Sequence, residues 1–178
     1  MRLFVAIDLP GEVSQSLSRL SSGLPGARWV RQEQLHLTLR FIGEVDGGRF
    51  RDIREELGGV SLQPFSLQLD GLGVFPPRGR PRVVWAGLRQ SKPLLRLRNQ
   101  VESALVRAGL ARETRKFAPH VTLARLKNTP AVRVGRYLEQ WGLYASPPFT
   151  VERFFLYSSQ LGHSGALHTI EAEYPLAA

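Results

Sequence analysis

The chain contains no cysteine, one methionine and only three lysines. The lack of thiols excludes disulfides, thiolate catalysis and cysteine-based zinc sites, and it accords with a reducing compartment. No uninterrupted apolar run approaches the roughly 20 residues that a membrane span requires. The opening MRLFVAIDLPGE has one arginine and a short apolar run, then turns acidic at Asp8 and Glu12. That pattern predicts a first strand rather than a signal peptide, and with it a cytoplasmic protein. No HExxH, EF-hand or tight carboxylate cluster occurs, so no residue pattern asks for a metal.

Arginine is abundant instead: 21 arginines supply most of the formal charge of +9. A basic balance of this size favours phosphate-bearing partners such as nucleic acid or nucleotides. With 178 residues, 43% hydrophobic and 22% charged, the chain fits one domain, 1–178, able to bury a sizeable core.

Strand-like runs fall at 2–9, 27–30, 35–42, 64–70, 82–88, 120–126, 149–157 and 166–173. Helical patterns fall at 10–22, with Pro10 in the first turn, at about 48–57, at 91–109 and near 131–141. In 91–109, Ser91 is the expected N-cap, Gly109 the stop, and Leu94, Leu95, Val101, Leu105 and Val106 the apolar stripe. Loops rich in Pro, Gly and Arg are expected at 71–81 and 109–119. Strands and helices mix without the regular alternation of a parallel sheet, which favours an α+β class with antiparallel sheet.

Two short stretches carry chemistry. HLTL at 36–39 and HVTL at 120–123 repeat the same pattern 84 residues apart. Residues i and i+2 of a strand share a face. His36 and Thr38 therefore point away from Leu35, Leu37 and Leu39, and His120 and Thr122 away from Val121 and Leu123. Imidazole gives or takes a proton near neutral pH, so two of them can serve as general acid and general base around one centre. Threonine hydroxyls can donate to the oxygens of a bound anion. Phosphoryl transfer needs this layout and requires no metal.

The segments WVRQEQLHLTLRFIGEV and RKFAPHVTLARL resemble the two signatures of the 2H phosphoesterases, above all the RNA 2′,3′-cyclic phosphodiesterase (2′-5′ RNA ligase) branch. LFVAIDLP, FPPRGRPRVVWAGL and FFLYSSQLGHSGALHTIEAEYPL fit the same branch, so the resemblance covers nearly the whole chain. It implies a bilobal α+β fold: two antiparallel sheets in pseudo-twofold halves around a central cleft, with helices outside and one motif per lobe. It implies a monomer without cofactor that opens RNA 2′,3′-cyclic phosphate ends to 2′-phosphomonoesters. His36 would be the proton donor, His120 the acceptor, Thr38 and Thr122 the phosphate ligands, and Arg125 an assisting cation. His168 departs from the resemblance, standing where a tyrosine is expected, and is expected not to touch the motifs.

Other residues have two readings. By alternation Arg40 shares the His36 face, where it either binds phosphate or pairs with an acid, while Phe41 joins the core. Arg78, Arg80, Arg115 and Lys116 either line an RNA path or sit in solvated loops. Trp29 and Phe75 either stack a base or pack at the core rim, with packing favoured. Trp85 reads as structural and His163 as a turn residue. The same site run in reverse would join RNA ends in a 2′-5′ linkage. A sister activity would act on small cyclic nucleotides or ADP-ribose cyclic phosphate. A basic RNA-binding module without catalysis is the alternative from another class.

Overall fold

Alternating apolar strands dominate the chain, and in the computed structural model, which describes residues 1–177, most of them assemble edge to edge. Ten strands and four α-helices occur among the described residues. The strands are β1 (Arg2–Asp8), β2 (Ala27–Trp29), β3 (His36–Glu44), β4 (Phe65–Leu67), β5 (Leu69–Phe75), β6 (Val83–Leu88), β7 (Val121–Leu126), β8 (Phe149–Val151), β9 (Arg153–Gly162) and β10 (Gly165–Pro175). The helices are α1 (Gly11–Ser18), α2 (Gly47–Leu57), α3 (Lys92–Arg107) and α4 (Ala131–Trp141). The main sheet runs β10-β9-β1-β3-β7-β6-β5, with β2 also paired to β7, and β4–β8 form a second, two-stranded sheet.

All the pairings are antiparallel. The two halves, β10-β9-β1-β3 and β7-β6-β5, meet through one residue pair, Leu37↔Val121. Each member of that pair directly follows its motif histidine, so the junction lies at the centre of the two-halved arrangement.

Some expected elements divide or shift. The run 64–70 splits at Gln68 and 149–157 at Glu152, because β4 and β8 pair with each other while β5 and β9 join the main sheet. The expected loop 71–81 is strand as far as Phe75. Its glycines serve the sheet: Gly71 (φ 81°) sits at a register shift, and Gly73 lies directly beneath the Trp85 ring. Helix α1 is shorter than 10–22, and Pro10 precedes it, its carbonyl accepting from the Val13 and Ser14 amides.

Ser91 caps α3 by accepting from the Leu94 amide, and Gly109 (φ 96°) follows its end. The buried stripe is Leu94, Leu97, Val101, Ala104 and Leu105, whereas Leu95 and Val106 are 49% and 39% exposed. Each fully buried leucine contributes about 1.5–3 kcal/mol. These side chains join Leu35, Leu37, Leu39, Ile53 and Leu57 in one core on the helix side of the sheet. The opposite face is left to the motifs. Among the described residues no helix is long and apolar enough to cross a membrane.

Candidate functional site

Directly opposed residues of an antiparallel pair share a face. Extending the Leu37↔Val121 register by one residue each way sets His36 across from Thr122 and Thr38 across from His120. The four motif side chains thus form a two-by-two patch on the cleft face. Both histidines are held alike: His36 Nδ1 donates to the Gln34 carbonyl and His120 Nδ1 to the Ala118 carbonyl, each at 2.7 Å. A carbonyl only accepts, so Nδ1 carries the hydrogen and Nε2 is the nitrogen that exchanges protons.

The rings are also wedged by aromatics. Phe4 packs on His36 at 5.0 Å between centroids, and Phe75, itself against Trp85, meets His120 edge-on at 5.1 Å. Phe75 therefore packs against a motif histidine, Trp85 underlies Phe75, and Trp29 packs on Tyr137 of α4.

A β-bulge follows each motif. Val5 and Ala6 pair with Arg40 and Thr38, leaving Leu39 as the extra residue; Val84 and Trp85 pair with Ala124 and Thr122, leaving Leu123 extra. An extra residue reverses the alternation beyond it. Arg40, opposite Val5, consequently lies on the helix side, and Phe41, opposite Phe4, lies on the cleft face with 61% exposure. Both assignments from simple alternation are overturned by the bulge. Arg40 does not reach the motif patch; it pairs with the buried Glu102 at 2.6 Å and donates to the Ala111 carbonyl at 3.0 Å. The matching bulge brings Arg125 onto the cleft face, opposite Val83 and Arg28.

The other basic residues divide. Arg80 donates to Asn128 at 2.7 Å, and Arg115 binds Glu113 of its own loop, holding that carboxyl down to about 2. Arg78 and Lys116 are exposed. His163 lies exposed in the β9–β10 turn.

His168 is a correction. Its ring lies 5.5 Å from that of His36 and 5.0 Å from Phe4, so it does touch the first motif. Sequence reasoning also missed Gln34, whose carbonyl holds His36 while its side-chain amide donates to Ala166 on β10 at 2.7 Å. Asp8 sits opposite His36 and accepts from the Tyr157 hydroxyl at 2.5 Å. Contacts spanning more than 100 residues leave no local pattern, so neither Gln34 nor Tyr157 could have been singled out.

Burial pushes the His36 imidazole below its ordinary 6.5. The Gln34 hydrogen bond opposes this, His168 adds to it, Asp8 opposes it and His120 adds to it. Burial likewise lowers His168, and it raises Tyr157 together with the Asp8 bond. Two surface depressions elsewhere, one lined by Leu20, Trp141 and Tyr144 and one by Val60, Gln100 and Arg107, hold no such groups. Among the described residues no group of three or more His, Asp or Glu could hold a metal ion. What the patch can do chemically is move protons on both sides of an anion bound between two hydroxyls.

The chain is similar in sequence and fold to known proteins. The chain matches the LigT like Phosphoesterase family in two stretches, residues 7–85 and 88–168, one around each motif. It is 36% identical over 179 residues to an RNA 2′,3′-cyclic phosphodiesterase of Geobacillus stearothermophilus, covering 97% of this chain but only 56% of that relative. To the protein of the same name from Thermotoga maritima it is 34% identical, covering 96% and 92%. The crystal structure of Escherichia coli LigT complexed with 3′-AMP superposes with a TM-score of 0.81 at 30% identity, covering 99% and 98%.

Proposed function

The chain belongs to the LigT-like phosphoesterase family, and from that premise we propose that it opens RNA 2′,3′-cyclic phosphate ends to 2′-phosphomonoesters. The observation that carries the reading is the matched pair of histidines, each tethered at Nδ1 to the carbonyl two residues before it, beside a threonine on the same face. Relatives named RNA 2′,3′-cyclic phosphodiesterase support the substrate.

In the proposed mechanism His120 Nε2 takes a proton from water as the water oxygen bonds to phosphorus. The bond from phosphorus to the 3′ oxygen breaks, and that oxygen takes the proton carried by His36 Nε2. Thr38 and Thr122 donate to the two non-bridging oxygens, where charge grows in the transition state. Arg125 supplies a cation from the rim of the second motif. No metal or other cofactor takes part. The enzyme acts as a monomer, in the cytoplasm, on RNA ends. With a 5′-hydroxyl RNA end in place of water, the same path makes a 2′-5′ linkage with the two histidines in the same roles, and cleavage of that linkage back to the cyclic phosphate exchanges them.

An oligonucleotide ending in a 2′,3′-cyclic phosphate, incubated with EDTA, is the decisive assay. The expected product is the 2′-phosphomonoester. His36→Ala and His120→Ala should each lower kcat by at least about 100-fold, in line with the loss of one acid–base group. Full turnover by either folded variant would sink the mechanism, and a 3′-phosphate product would sink the assignment of the leaving oxygen.

A further inference from the structure

Three groups converge on His36 from the first half of the sheet: Asp8 from β1, Tyr157 from β9 and His168 from β10. Only His168 adds a second imidazole. Its ring stands at 79° to that of His36 and 70° to that of Phe4, and neither of its nitrogens has a hydrogen-bond partner among the described residues. Gln34 locks the spacing, because its carbonyl holds His36 while its amide holds β10 at Ala166, two residues from His168.

We propose that His168 governs the protonation of His36: the two rings form a coupled pair that resists double protonation in the free protein and gains protons together when an anionic phosphate enters the cleft. The coupling stands on geometry alone. Its use in arming the acid for catalysis rests on the proposed function.

Two like charges this close resist simultaneous ionisation. Even at the dielectric of water, repulsion across about 5.5 Å displaces a titration by about half a pH unit, and more in a half-buried site. The other charged groups facing the pair do not cancel this. The Asp8 carboxylate already accepts from Tyr157. Arg2, in register with Ser159 and through it with His168, adds positive charge, and Glu44 across from Arg2 binds the N-terminal ammonium. His120 across the junction is a further imidazole that lowers His36. The direction of the burial effect on both rings agrees. A bound phosphate reverses the balance, since its charge favours both imidazolium forms.

Histidine ring-proton NMR titrations test the coupling without reference to turnover. In the free protein the His36 midpoint lies below 6.5, and adenosine 2′-monophosphate should move the midpoints of His36 and His168 upward together. His168→Phe keeps the packing on Phe4 and removes the charge, and His168→Gln keeps a polar side chain. Each should raise the free His36 midpoint by about half a pH unit or more. In the hydrolysis assay each should carry the alkaline limb of kcat/KM, where the donor His36 loses its proton, to higher pH. An unchanged His36 midpoint in the folded variants overturns the inference even if the wild-type protein hydrolyses cyclic phosphate. A shifted midpoint in a protein that hydrolyses none upholds the coupling and overturns the proposed function.

Discussion

Arg40 spends its guanidinium on the protein itself. One arm meets Glu102 on α3 and another the Ala111 carbonyl, while the second oxygen of Glu102 accepts from the Glu113 amide. The residue two places after Thr38 thereby anchors the loop that leads to His120. Glu102 is almost wholly enclosed, with 1% of its side chain exposed. Removing the cation leaves a buried carboxylate uncompensated, at a cost of about 3–5 kcal/mol. Urea unfolding of Arg40→Met should show that loss, and Arg40→Met combined with Glu102→Gln should recover most of it. A loss below about 1 kcal/mol in the single variant would mean that the pair anchors nothing.

At the scale of the element, the bulges decide which side chains meet. Alternation reads correctly from Leu35 to Leu39 and from Val121 to Leu123, which is why both histidines and both threonines were legible. It fails at Arg40 and Phe41 because the extra residue at Leu39 looks like any other buried leucine. Arg125 was legible only through resemblance, since alternation from Thr122 would have turned it inward. The strand β5 was hidden for a related reason: its glycines read as turn signals, yet Gly73 is glycine because Trp85 occupies the space of a side chain. A Cβ on Gly73 would stand 2.3 Å from Trp85 Cζ2. Trp85 is a rigid ring that supports Phe75, and Phe75 in turn meets His120. Gly73→Ala should therefore cost about 1–3 kcal/mol of stability and also lower kcat by loosening His120. A melt that drops while kcat holds would confine Gly73 to the fold.

Across the whole molecule the two halves repeat the motif and the bulge but not the residue that the bulge exposes. Five residues after the histidine, the first half presents Phe41 and the second Arg125. The cleft face of the first half continues into Phe4, Tyr157 and Ile170. That of the second continues into Arg28, with Arg78 and Arg80 in the loop beyond β5. The second half thus forms a basic wall, and under the proposed function the phosphates of a single-stranded RNA lie along it, releasing counterions as they bind. Each arginine that neutralises a phosphate adds about 0.7 to the slope of log affinity against log salt concentration. Binding of an oligonucleotide ending in a 2′-phosphate, measured across a salt series, should lose about 1.4 from that slope when Arg28 and Arg125 are both changed to alanine. Arg115, held by Glu113 in its own loop, is the control, and Arg115→Ala should leave the slope as it was. Equal losses from the two changes would return the positive charge to a diffuse property of the surface, and an unchanged slope in the double variant would move the RNA off this wall.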